Sequence, residues 1–131
     1  MIGVDTNVLV RLVVTDDVAQ QAAARARIAG AAAAGEGVFV TVVVVAELTW
    51  VLESVYGYGR EAVAGVVEAL LETAPFQVED REAVLEAVAA FRGSQAGLSD
   101  HLVLSVSRAN GALPVLTFDR KLASVPGCGA P

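Results

Sequence analysis

A chain of 131 residues fits one domain, and a composition 55% hydrophobic and 18% charged supports a packed core and argues against disorder. One cysteine, Cys128, rules out an internal disulfide and a cysteine-rich zinc site. The net charge of −6 is the wrong sign for a general nucleic-acid binder and suits a protein that holds cations or meets a basic partner.

In chain order, strand and helix signals alternate. Ile2–Asp5 reads as a short buried strand, followed by a loop and one or two helical turns over Thr6–Val14. Thr15-Asp16-Asp17 resembles an N-cap with acids in the first turn, opening an Ala-rich helix to about Ala34 that Gly35 and Gly37 stop. Val38–Thr41 is β-branched and reads as strand. Val42–Tyr56 mixes signals, but its length and the Gly57/Gly59 stop predict a helix capped by Thr41.

Arg60–Glu72 is amphipathic, with Val63, Val66, Val67, Leu70 and Leu71 on one face. Phe76–Val78 is a short strand. Asp80–Phe91 is a helix with Val84, Leu85, Val88 and Phe91 expected inward. Ser99 is expected to cap a helix that ends at Asn110 before Gly111. Val115–Phe118 is the last clear strand, Arg120–Ala123 a helical turn and Val125–Pro131 a tail.

This alternation predicts an α/β fold of three layers around a central, mostly parallel sheet of four or five short strands, as a single domain over residues 1–131. Ligands of such sheets bind beyond the carboxyl ends of the strands. No apolar run reaches the roughly 18 residues that span a bilayer, and the first residues lack a signal-peptide pattern, so a cytoplasmic protein is expected.

Four acids stand where such a fold could turn them toward a common purpose. Asp5 and Asp119 follow strands, and Asp100 opens a helix. Glu47 has Val43, Val44, Trp50 and Val51 as helical face neighbours, an apolar setting in which a carboxylate needs a cation, an arginine or a route to solvent. Each acid alone has an ordinary reading as a turn, a cap or a boundary residue. Together they suggest a site for a hard cation such as Mg²⁺ or Mn²⁺, one or two ions, able to activate water against a phosphodiester. His101 is the only histidine, and no nucleophile-elbow motif accompanies it.

The segments Val4-Asp5-Thr6-Asn7-Val8-Leu9-Val10, Val44-Val45-Ala46-Glu47-Leu48, Leu98-Ser99-Asp100-His101-Leu102-Val103 and Leu116-Thr117-Phe118-Asp119-Arg120-Lys121-Leu122-Ala123 resemble the PIN-domain nucleases. More closely, they resemble the VapC-type ribonuclease toxins of bacterial toxin–antitoxin pairs. Their order and spacing carry the match over nearly the whole chain.

The resemblance implies a Mg²⁺- or Mn²⁺-dependent endoribonuclease with Asp5, Glu47, Asp100 and Asp119 as its acidic quartet. Thr6, Asn7 and Thr117 match polar positions beside that quartet. It also implies a homodimer and a cognate antitoxin with a basic tail. Asp5, Asp100 and Asp119 are the expected metal ligands, with Glu47 completing the site or orienting the attacking water. Arg11, Arg92, Arg108, Arg120 and Lys121 are candidates for RNA phosphate contacts, each equally readable as a solvated surface charge.

Two departures stand out. Relatives often carry an acid or polar group where this chain has Gly97, which leaves the number of ions open. The tail after Val125 is rich in Gly and Pro, so a closing edge strand is expected to be short or absent. Two rival readings remain. One is a non-catalytic or weakly catalytic acidic α/β module for a basic partner. The other is a haloacid-dehalogenase-like phosphatase using Asp5 as nucleophile, which Asn7 disfavours because that family resembles a strand followed by Asp-x-Asp.

Overall fold

Val38 and Val40 alternate with Phe39 in a three-residue strand, and both valines are completely buried. A strand apolar on both sides belongs inside a parallel sheet, and that is its place. The structure, a computed structural model, describes residues 1–131. The chain forms two compact units, Met1–Glu79 and Asp80–Pro131.

The first unit runs β1 (Ile2–Gly3), α1 (Thr6–Val13), α2 (Val18–Ala33), β2 (Val38–Val40), α3 (Val42–Ser54), α4 (Arg60–Glu72) and β3 (Phe76–Val78). The strand order is β1-β2-β3, with every pair parallel. Val38 lies between Ile2 and Phe76, and Val40 opposite Val78. Parallel neighbours need crossovers. Helices α1 and α2 supply the first, α3 and α4 the second. Leu9, Val10, Val45, Leu48, Leu52, Val63 and Val67 fill the core.

Local chemistry sets the helix ends. Asp17 caps α2 by accepting from the Gln20 N–H at 2.9 Å. Gly35, at φ +68°, turns the chain out of α2, with its N–H on Ala32 O and the Glu36 N–H on Ala31 O. This is the left-handed stop that favours glycine. Thr41 caps α3, its Oγ1 accepting from the Val44 N–H at 3.1 Å. Glu79 Oε1 accepts a second free amide, that of Val42, at 2.9 Å.

The second unit runs α5 (Arg81–Arg92), α6 (Leu98–Ala109), β4 (Val115–Leu116), α7 (Arg120–Ala123) and β5 (Cys128–Gly129). Helices α5 and α6 pack together. Val84, Ala87, Val88 and Phe91 are buried on α5, and Leu98, Leu102 and Leu104 on α6. Gly111, at φ +69°, ends α6 as expected. Strands β4 and β5 pair in parallel, Val115 opposite Cys128 and Leu116 opposite Gly129. The closing strand is therefore present but only two residues long.

The α/β class and the parallel pairing match the sequence reading. The five strands fall into a sheet of three and a sheet of two. Three local expectations are corrected. Helix α6 begins at Leu98, with Gly97 rather than Ser99 as its N-cap, because the Asp100 carboxylate meets the Gly97 N–H. Leu85 is exposed, since Ala83, Val84, Ala87, Val88 and Phe91 form the buried stripe. Helix α3 ends at Ser54, short of Tyr56. No helix is long and apolar enough to cross a membrane.

Candidate active site

Asp5 follows β1 in extended backbone and caps α1, its Oδ1 accepting from the Thr6 N–H at 2.8 Å. Fixing one oxygen this way leaves the carboxylate at the surface, where it is exposed. Thr6 is 5% exposed, and its Oγ1 is buried without a hydrogen-bond partner. Such an orphan costs about 1–3 kcal/mol unless a water or ligand meets it. Asn7 is exposed on α1 and lines a shallow groove with Val8, Arg11, Gln20, Ala23 and Ala24.

Glu47 projects from the middle of α3 into solvent and makes neither a hydrogen bond nor an ion pair. The apolar setting expected for it is not a buried one. Val43 and Trp50, its neighbours at spacings of four and three, are 66% and 62% exposed, whereas the core face carries Val44, Val45, Leu48 and Leu52. A route to solvent, not a counter-ion, satisfies this carboxylate.

In the second unit, Asp100 is half-buried in the first turn of α6, and its Oδ2 accepts from the Gly97 N–H at 3.3 Å. Asp119 is exposed and caps α7, its Oδ1 accepting from the Lys121 N–H at 2.8 Å. Thr117 Oγ1 accepts from the Asp119 N–H at 3.0 Å, so the hydroxyl expected to orient this acid holds its backbone. None of the four acids is paired with Lys or Arg.

The candidate phosphate contacts differ among themselves. The Arg11 guanidinium donates to Asp16 Oδ1 at 2.9 Å, Gln20 Oε1 at 2.6 Å and Tyr56 Oη at 3.5 Å. The Tyr56 hydroxyl donates to Asp16 Oδ2 at 2.6 Å. That hydrogen bond, and after it the charge of Arg11, holds the Asp16 carboxyl below its usual range. Arg108 lies 3.7 Å from Glu86. Arg92 and Arg120 are exposed. Lys121 is exposed, and its ammonium makes no bond.

Sequence reasoning passed over one feature. A cavity of about 440 Å³ in the second unit is lined by Ala90, Gly93, Ser94, Gln95, His101, Lys121, Ser124, Val125 and Pro126. His101 is 1% exposed, and its Nε2 lies 2.9 Å from Ser94 Oγ, which also accepts from the Ala96 N–H at 2.9 Å. Ser94 and His101 are separated by the turn between α5 and α6 and Ser124 lies well downstream, so no single spacing signal announces this cavity.

In chemistry the acids suit a hard divalent ion: all are oxygen donors, and three have one oxygen already oriented by a backbone N–H. The orphaned Thr6 hydroxyl beside Asp5 suits an ion-bound water. No three His, Cys, Asp or Glu side chains gather into a preformed metal-binding group.

A search of curated proteins returns no match. The PIN domain family matches residues 2–127, a range that includes all four acids. PIN domains are generally metal-dependent nucleases. On this match, spanning nearly the whole length, the chain belongs to the PIN domain family.

Proposed function

We propose that this PIN domain is a Mg²⁺- or Mn²⁺-dependent endoribonuclease that acts as the toxin of a type II toxin–antitoxin pair. The observation that carries the reading is the state of the four acids. Asp5, Glu47, Asp100 and Asp119 all reach the surface or lie half-buried, and none is neutralised by Lys or Arg. Each carboxylate therefore keeps oxygen lone pairs open to a cation.

Asp5, Asp100 and Asp119 would hold the ion, one oxygen of each already oriented by a backbone amide. A divalent ion bound there supplies Lewis-acid chemistry, lowering the pKa of water and neutralising phosphate charge. Glu47, with a carboxylate free of any partner, orients the attacking water and takes up its proton. Thr117 holds the backbone of Asp119, and the Thr6 hydroxyl, without a partner in the fold, stands beside Asp5 for an ion-bound water. The chain needs no covalent nucleophile of its own. A homodimer and an antitoxin with a basic tail complete the reading, and the charge of −6 supports such a partner.

One observation favours a second reading, a weakly catalytic or non-catalytic module for a basic partner: the acids form no preformed cluster. Calorimetry with Mn²⁺ separates the two. The nuclease reading expects saturable binding, reduced in Asp5→Asn, together with RNA cleavage. No binding at millimolar Mn²⁺ supports the module instead.

A further inference from the structure

The aromatic residues of the chain are one Trp, two Tyr and four Phe. Phe39, Tyr56, Tyr58, Phe76 and Phe91 are buried or half-buried. The two that remain, Trp50 and Phe118, are 62% and 91% exposed. Each of these stands beside one of the four acids. Trp50 follows Glu47 by three residues on the outer face of α3, and Phe118 immediately precedes Asp119. Neither ring makes a hydrogen bond or touches another ring. A large ring left in water forgoes the free energy that burial would give it. This chain leaves rings open beside its candidate acids and nowhere else.

A spacing of three residues puts the indole on the same side of the helix as the Glu47 carboxylate, roughly 4.5 Å further along the axis. A nucleotide whose phosphate is held at Glu47 carries its base within reach of that ring. A chain of net charge −6 gains little from general attraction to phosphates. Stacking of a base on an aromatic face owes little to net charge and accepts every base. It does require an unpaired base, because a base inside a duplex has both faces covered. A protein partner suits the α3 face less well. Val43 and Trp50 flank Glu47 there, so a second copy seated on them would close over a carboxylate that has no counter-ion. A base on the indole covers one ring and leaves the carboxylate in water.

We propose that Trp50 is a stacking surface for an unpaired nucleobase of the RNA beside Glu47, and that Phe118 is a second such surface beside Asp119. The substrate class is then single-stranded RNA. The proposal rests on the nuclease reading for the identity of the ligand. It assigns both rings a binding role and no part in the chemical step.

Because Trp50 is the only tryptophan, the indole emission of the chain reports on this position alone. The experiment titrates a short, labelled single-stranded RNA into the Asp5→Asn chain in Mg²⁺, where cleavage is expected to be suppressed. It follows both the Trp50 emission and the anisotropy of the RNA. The emission should be quenched saturably by the single strand and left unmoved by a duplex. Trp50→Ala and Phe118→Ala should each weaken binding roughly five- to hundredfold, the range for one stacked base. Neither should change the slope of log K against log salt, because neither ring neutralises a phosphate. Trp50→Phe should recover most of the loss, and Val18→Ala, at an exposed apolar residue of α2, should cost nothing. An abasic strand of the same length, tested on the unsubstituted rings, should bind as weakly as the alanine variants or more so. RNA that fails to bind, that binds with the emission unmoved, or that binds equally well without its bases overturns the proposal. So does an emission that varies with protein concentration while Trp50→Ala dissociates a dimer, which makes this face a contact between copies. Mn²⁺-dependent cleavage by the unsubstituted chain with an unmoved Trp50 emission removes this proposal and leaves the nuclease reading standing. Quenching by RNA without any cleavage does the reverse.

Discussion

Arg11 in the first unit and Lys121 in the second are equal candidates for phosphate contact by sequence, and their surroundings separate them. Arg11 is held by Asp16, Gln20 and Tyr56, and so ties α1 to the start of α2 and to the residues after α3. Lys121 makes no side-chain bond and borders a cavity. The acids divide in a similar way. Asp16 is engaged by a guanidinium and a phenol, whereas Asp5, Glu47, Asp100 and Asp119 meet backbone amides or solvent alone. Arg11 and Asp16 are engaged by each other and by Tyr56, whereas the four candidate acids have no side-chain counter-ion.

Substitutions can break or sharpen this contrast. The largest effect is expected in the core, which has no part in chemistry. Phe91→Ala, at a fully buried ring of α5, should cost about 3–5 kcal/mol in denaturant unfolding. Asp5→Asn should lower Mn²⁺-dependent RNA cleavage on the order of a hundredfold. It should leave stability nearly unchanged, because Asn caps a helix about as well as Asp. Glu47→Gln should reduce cleavage by roughly tenfold or more with no change in melting temperature, since the carboxylate makes no bond in the fold. A large loss of stability in Glu47→Gln would show that this acid is structural after all.

Smaller effects test the partnered charges. Thr41→Ala should cost about 1 kcal/mol, moderated by Glu79, which also caps α3. The Asp16 carboxyl is held low by the Tyr56 hydroxyl first and the Arg11 charge second. Its stabilising contribution is present above the unfolded value near 3.9 and is lost as pH falls through the lower folded value. Asp16→Asn should therefore flatten the acid limb of melting temperature against pH. An unchanged limb would show that the Arg11–Asp16–Tyr56 set does not act on stability.

The ends of the helices were legible where one residue type has one cause. Gly35 and Gly111 stop helices because they turn with positive φ, and Thr41 caps because its hydroxyl reaches the third amide. Gly97 was not legible as a cap, since its amide is satisfied by a carboxylate three residues on. Which of its alternatives Glu47 takes was not legible, because α3 carries apolar residues nearly all round. Periodicity then cannot say which face the sheet covers, and Val43 and Trp50 remain exposed. The order of the four acids was readable along the chain. The cavity of Ser94, His101, Lys121 and Ser124 was not, because it exists only once separate segments meet.

The most direct measurement is cleavage of single-stranded RNA by the unsubstituted chain, by Asp5→Asn and by Asp119→Asn, each with Mn²⁺ and with EDTA. These two acids come one from each unit. The account predicts cleavage only by the unsubstituted chain with Mn²⁺, and folded but inactive variants. Cleavage that persists in EDTA, or that survives both substitutions, would contradict it.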